Sequence, residues 1–209
     1  MGLDWNPGNK PRPGFEKEFE RLFHKLQSEW CFRRKAKTNR FHAVSITAFE
    51  TLGAPQVGRD EAANNWAREM YTKQSRDVTE AEWLKKLEGF YVLSLVAPCD
   101  GIPRYSNGSP GGYVEPYSFR AQFLVDSTDI IGAALLNEAY ESKLPEELMA
   151  YGKQLLEKAV SFAKTKGMDI DNLNTDDVDG IESRLDAVVA AGRWCIFWAE
   201  RGHILDAYW

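Results

Sequence analysis

One irregular segment concentrates the side chains that could do chemistry. Residues 99–112 directly follow the apolar run 90–96 and contain a thiol, a carboxylate, a guanidinium, a phenol and an amide. These groups belong to Cys99, Asp100, Arg104, Tyr105 and Asn107. Polar groups held by turn residues at the exit of a buried strand commonly form a binding or catalytic loop. We therefore predict a site there, with the thiol and the carboxylate as catalytic groups and the other three as ligand-binding groups.

A nucleophilic role for Cys99 requires its thiolate, and a nearby cation lowers the pKa of a thiol. Arg104 is the nearest cation in sequence. The same loop also has a purely structural interpretation, in which Asp100 and Asn107 stabilise turns through Asx hydrogen bonds. The sequence leaves both interpretations open.

Arg120 lies in an otherwise apolar segment at 118–125. A partly buried guanidinium needs an anionic partner. Asp126 or Asp129 could be that partner, and so could the carboxylate or phosphate of a ligand. We predict Arg120 as a ligand-binding residue at the floor of the site, and an anionic small molecule as the ligand.

No metal site is predicted. The acidic segment 168–180 carries the oxygen ligands that Ca²⁺ prefers, but its spacing does not match a calcium-binding loop. We interpret it as a segment that caps the following helix and increases solubility. His24 and His203 have no ligand-spaced partners that would define a metal site. His42 follows the basic run and could point into a site from the end of a strand, but the sequence does not place it there.

Several motifs that define enzyme classes are absent from the sequence. The chain has no GxxxxGK[ST], no GxGxxG after a strand, no HExxH and no GxSxG. Nucleotide-phosphate binding, zinc proteolysis and serine hydrolysis therefore lack support from motifs.

The balance of charges bounds the classes of partner. The 209 residues include 31 acids and 26 bases, which give a net charge of −5. Proteins that bind nucleic acid or anionic membranes are usually basic, so we expect neither partner. The basic run 33–40 could be a phosphate or RNA patch, or a solvated helix end whose cations lie at the negative pole of the helix dipole. The negative net charge of the chain favours the interpretation of this run as a solvated helix end.

The sequence favours a cytoplasmic protein without a membrane segment. The N-terminal residues lack the cationic start and apolar run of a secretory signal. No stretch approaches the roughly 18 apolar residues that a membrane helix needs. Cys31, Cys99 and Cys195 are odd in number and form no CxxC, as is typical of a reducing compartment.

Amphipathic segments must position these side chains. Helical spacing and capping signals predict helices near 15–35, 60–71, 79–89, 118–143, 145–167 and 181–202. Apolar and polar residues also alternate over 117–125 well enough for a strand. This alternative to the beginning of the helix at 118–143 stays open. We predict a mainly α fold of five or six helices in a single domain over 1–209, with a minor β element near 41–49 and 90–96 and an extended N-terminal arm at 1–14.

A second function class is a non-catalytic helical interaction or scaffold module. The C-terminal region is rich in aromatic residues that could anchor a partner, namely Trp194, Trp198, Tyr208 and Trp209. A small domain would cover such a surface poorly, so we predict a homodimer.

Overall fold

The computed structural model confirms a mainly α fold with a small antiparallel β component. It describes residues 2–28, 33–73, 78–96, 118–177 and 179–209. The chain divides into two compact units, Met1–Ile46 with Asp100–Trp209 and, separately, Thr47–Cys99. The single domain over 1–209 stays a prediction.

The described residues contain eight α-helices and four short strands. The helices are α1 (Glu16–Gln27), α2 (Arg34–Ala43), α3 (Ala48–Thr51), α4 (Glu61–Thr72), α5 (Glu80–Leu87), α6 (Thr128–Glu138), α7 (Pro145–Lys166) and α8 (Ile181–Glu200). The strands are β1 (Asp4–Pro7), β2 (Lys10–Pro11), β3 (Ser45–Ile46) and β4 (Leu205–Tyr208).

The N-terminal arm is extended and pairs with other segments of the first unit. β1 pairs antiparallel with β4, so that Asp4 lies opposite Tyr208, and β2 pairs antiparallel with β3. On its other edge, β1 forms a single bridge to Phe119. The arm therefore joins three segments that are far apart in sequence.

Trp5 lies at the centre of the first unit. Its side chain is fully buried, and its ring centroid lies 5.4 Å from that of Phe119 and 5.8 Å from those of Tyr151 and Trp194. The indole Nε1 donates a 2.8 Å hydrogen bond to the Ala139 carbonyl oxygen. Burial of a large ring with its one polar atom satisfied is strongly favourable.

The second unit has its own apolar cluster, formed by Val57, Ala63, Ala67 and Val92. α5 begins with a capping box. The Glu82 amide donates to the Thr79 hydroxyl oxygen at 3.3 Å, and the Thr79 amide donates to the Glu82 carboxylate at 2.8 Å.

Local structure differs from the sequence-based prediction in three places. The predicted helix 15–35 ends at Gln27, and a separate helix, α2, covers most of the segment between 33 and 44. Pairing near 41–49 is limited to β3, and pairing near 90–96 to one bridge at Tyr91 before a 3₁₀ helix at Leu93–Leu95. The described residues contain two α-helices more than the six predicted, and these two are α2 and α3.

The sequence left helix and strand as alternatives for 117–125. Where this segment is described, it is neither a strand nor part of a regular α-helix. Phe119 bridges to β1, a 3₁₀ helix covers Ala121–Leu124, and α6 begins at Thr128. The helix predicted over 118–143 is therefore an α-helix only over Thr128–Glu138. Backbone pairing with the N-terminal arm, which local periodicity does not reveal, holds the first part extended.

Helices α7 and α8 pack at very close range. A Cβ built on Gly152 of α7 would lie 2.7 Å from the Cys195 Cβ and 2.9 Å from the Gly192 carbonyl oxygen of α8. Most of α8 is buried, as expected for a helix that is apolar on nearly all sides. None of the helices in the described ranges has both the length and the apolar character to cross a bilayer.

We expect Gly152→Ala to lower the free energy of unfolding by about 1–2 kcal/mol. Overpacking costs about 1–3 kcal/mol, and the better helix propensity of alanine returns up to about 1 kcal/mol. Urea denaturation would measure the change. Ser161→Ala, at an exposed position of α7, is the control and should be neutral or slightly stabilising. Equal effects of the two substitutions would contradict the close crossing.

Candidate functional site

Arg120 is the one predicted site residue that the described ranges include. Its Nε lies 2.7 Å from the Asp4 Oδ1, and the side chains are 35% and 28% exposed, respectively. Asp4 is thus the protein's own anionic partner for Arg120, and sequence reasoning missed it. The missed signal was Trp5, because a tryptophan in an extended arm is expected to be buried and so brings its neighbour close to the core.

Backbone pairing on both sides of Arg120 fixes its position. The Phe119 and Trp5 amides each donate to the other residue's carbonyl oxygen at 2.8 Å. Two residues further on, the Gln122 amide donates to the Leu3 carbonyl oxygen at 2.9 Å. The Gln122 side-chain oxygen in turn accepts from the Leu3 amide at 3.0 Å. Arg120 is therefore held on a rigid backbone beside the arm.

The guanidinium of Arg120 retains donors for another acceptor. Within the described part of the chain, neither terminal nitrogen, Nη1 or Nη2, donates a hydrogen bond. A guanidinium presents five N–H donors in a planar fork that fits a carboxylate or phosphate in bidentate fashion. The side chain is also partly exposed, so that a ligand could reach it.

Asp126 and Asp129, which the sequence suggested as partners of Arg120, contact Arg184 instead. The Arg184 Nη1 donates to the Asp129 Oδ1 and to the Asp126 carbonyl oxygen, each at 2.6 Å. These contacts join α6 to the beginning of α8. The prediction of Asp126 or Asp129 as the counter-ion of Arg120 is therefore wrong, because the arm brings a closer carboxylate.

The other predicted site residues lie outside the described ranges. These are Cys99, Asp100, Arg104, Tyr105 and Asn107. Cys31 also lies outside them. The site at 99–112 therefore stays a prediction, and Arg120 is the part of it whose geometry is known.

Two buried titratable residues have structural roles. Cys195 is fully buried beside Gly152, and burial raises the pKa of its thiol, which makes it a poor nucleophile. His203 is buried against the Trp198 ring, and its Nδ1 lies 2.7 Å from the Gly8 carbonyl oxygen. Because a carbonyl only accepts, Nδ1 carries the proton and the neutral ring helps to hold the arm in place.

The described residues offer no site for a metal ion. They contain no group of three or more His, Cys, Asp or Glu side chains arranged to hold one. In the acidic segment, the amides of Asp171 and Asp176 donate to the side-chain oxygens of Asp169 and Asn174. The Asn174 amide donates a further hydrogen bond, of 2.6 Å, to the carboxylate of Glu182 in the first turn of α8.

Comparison with known proteins does not identify a family. The chain matches no protein-family model, none of the curated proteins and none of the solved structures with which it was compared.

His203 should make the stability of the protein depend on pH. Burial lowers the pKa of its imidazole from about 6.5 to about 4, so the unfolded chain binds the proton more readily than the folded protein does. Stability contributed by the neutral ring is complete above pH 6.5 and is lost as the pH falls towards 4. We expect the free energy of unfolding to decrease by about 1 kcal/mol between pH 7 and 5.5.

An NMR titration of the histidine ring signals tests the same point directly. The exposed ring of His24 is the internal control. We expect the His203 signals to stay at their neutral position through pH 5. A midpoint for His203 near 6.5 would contradict its burial in neutral form.

Proposed function

We propose that the protein binds an anionic small molecule through Arg120 and acts in the cytoplasm. The observation that carries the proposal is a partly exposed guanidinium on a well-anchored backbone, whose terminal nitrogens donate to no residue in the described ranges. An arginine with a purely structural role would be expected to use its terminal nitrogens as well, as Arg184 does with Asp129. A ligand carboxylate or phosphate fits the donors that remain.

The residues at 99–112 are proposed to complete this site. They precede Arg120 closely in sequence and supply complementary groups: Arg104 as a second cation, and Tyr105 and Asn107 as hydrogen-bonding groups. If the protein is an enzyme, Cys99 and Asp100 are its proposed nucleophile and proton-transfer group. The cytoplasmic setting is supported by Cys195, a free thiol within the core.

A thermal-shift screen of anionic metabolites tests the proposal. A ligand at 100 times its dissociation constant stabilises a protein by about 2.7 kcal/mol, which raises the melting temperature measurably. We expect Arg120→Gln to abolish the shift produced by the best ligand. The apo protein should lose little stability, at most about 1 kcal/mol, because the pair with Asp4 is partly exposed.

Arg193→Gln is the matched control, since this arginine is exposed on α8 and its replacement removes the same charge. It should leave the ligand-induced shift unchanged. Cys99→Ala should retain the shift and abolish turnover if Cys99 is the nucleophile. A ligand-induced shift that survives Arg120→Gln would overturn the assignment of the site.

A second candidate function is an interaction module that forms a homodimer through its C-terminal aromatic residues. Tyr208 and Trp209 support it, since they are 59% and 66% exposed and Trp209 contacts only the edge of Tyr140 among the described aromatic rings. The predicted anchors Trp194 and Trp198 do not support it, because both are fully buried in the core. The proposed dimer surface is therefore limited to the end of β4.

Light scattering at micromolar concentrations tests the dimer. We expect a mass near twice 23.8 kDa for the wild-type chain and a shift towards 23.8 kDa for Trp209→Ala. The exposed Phe123, replaced by alanine, provides a control for the loss of an apolar surface group elsewhere. A monomeric wild-type chain would contradict the homodimer.

A further inference from the structure

A cleft in the second unit is lined by apolar and charged groups together. It lies between the beginning of α4, the end of α5 and the turn at Val57 and Gly58, and its volume is about 210 Å³. Its apolar lining is Leu84 and the fully buried Val57. Its polar lining consists of Asn64, Lys85 and Glu88. An apolar surface with a few convergent polar groups is the usual construction of a small-molecule site.

Hydrogen bonds hold the walls of this cleft in place. The Val57 amide donates to the Phe90 carbonyl oxygen, and the Gly89 amide donates to the Val57 carbonyl oxygen, each at 2.9 Å. The Trp83 Nε1 donates at 3.0 Å to the Ala67 carbonyl oxygen, which joins α5 to α4. The cleft is therefore formed before a ligand binds, and a preformed site lowers the entropic cost of binding.

The side-chain amide of Asn64 has a free donor group. Its Oδ1 accepts a 2.8 Å hydrogen bond from the Gly58 amide. Because a backbone amide only donates, this contact establishes which side-chain atom is the oxygen and leaves Nδ2 as the other group. Within the described part of the chain, Nδ2 donates to no residue. It is therefore available to an acceptor such as a carboxylate.

Lys85 and Glu88 carry opposite charges at the end of α5 but do not pair with each other. Helical residues three apart have Cβ atoms about 5–6 Å apart, and opposite charges at this spacing commonly form ion pairs. Here both residues line the cleft, and neither forms an ion pair with any residue in the described ranges. The cleft thus offers an unpaired cation and an unpaired anion beside an apolar floor.

We propose that this cleft binds a free α-amino acid with an apolar side chain. The ammonium group of the ligand pairs with Glu88, and its carboxylate binds Lys85 and the Asn64 Nδ2. Its side chain covers Val57 and Leu84, which removes apolar surface from water.

The size and charge of the cleft both favour this class of ligand. An α-amino acid carries both charges on one carbon, which matches opposite charges that lie one helical turn apart. The cleft is also smaller than the roughly 300–1,000 Å³ of sites for drug-sized molecules. The end of a peptide chain would supply only one of the two charges. The cleft lies within the second unit, so the proposal does not depend on Arg120.

Titration of the isotope-labelled full chain with L-leucine, followed by NMR, tests the proposal. N-acetyl-L-leucine lacks the ammonium group and L-leucinamide lacks the carboxylate, while both keep the apolar side chain. We expect the wild type to bind L-leucine at least about tenfold more tightly than either analogue, because each analogue loses one charge-assisted contact. The side-chain amide signals of Asn64 should shift when L-leucine binds.

Glu88→Gln tests the ammonium end of the site. This variant should bind L-leucine no more tightly than the wild type binds N-acetyl-L-leucine. Its affinity for N-acetyl-L-leucine should not fall, because that analogue has no ammonium group to lose a partner. The matched control is Glu61→Gln, which removes the same charge from an exposed position of α4 outside the cleft and should bind L-leucine as the wild type does.

Lys85→Gln tests the carboxylate end in the same way. It should bind L-leucine at least about tenfold more weakly than the wild type does. Lys86→Gln is its control, since this neighbouring lysine is exposed and does not line the cleft. Thermal unfolding followed by circular dichroism should show all four variants to be folded, because the four side chains are exposed.

Three results would overturn the proposal. The first is binding of either leucine analogue to the wild type as tightly as L-leucine, which would indicate that one charge is sufficient. The second is an equal loss of affinity in a cleft variant and its control. The third is the absence of binding by L-leucine, L-valine and L-phenylalanine at tens of millimolar.

Discussion

The burial of Trp5 is the interaction on which the first unit depends. Its ring fills the space between Phe119, Tyr151 and Trp194, and its Nε1 binds the carbonyl oxygen of Ala139. Without the arm, these three rings would lose a large apolar partner and that buried carbonyl would lose its donor. An unpaired buried acceptor costs about 1–3 kcal/mol, besides the loss of apolar contact. An extended segment with little regular structure of its own thereby becomes part of the core.

The geometry around Arg120 follows from this docking. Successive side chains of a strand point to opposite faces, so inward placement of Trp5 directs Asp4 to the other face of β1. The bridge between Trp5 and Phe119 then brings Arg120 beside Asp4. Buried His203, which bonds to Gly8, holds the arm at a second point. The ion pair between Asp4 and Arg120 is thus a consequence of tertiary structure.

One buried charge in the first unit is compensated by its surroundings. Lys143 is almost fully buried, with Glu138 and Glu141 carboxylates 3.8 Å from its Nζ and the Tyr151 ring 4.9 Å away. Such a site compensates part of the cost of removing an amine from water.

The sequence by itself determined the elements whose signals are local. Periodic apolar residues and caps predicted most of α4, α5, α7 and α8, because amphipathic spacing and the Thr79–Glu82 capping box act within a few residues. Tertiary structure decided the remainder. Asp4 and Arg120 are 116 positions apart, and no local pattern relates them, since only the burial of Trp5 brings them together. The same holds for Trp194 and Trp198, which the sequence suggested as anchors for a partner and which packing around α8 buries in the core.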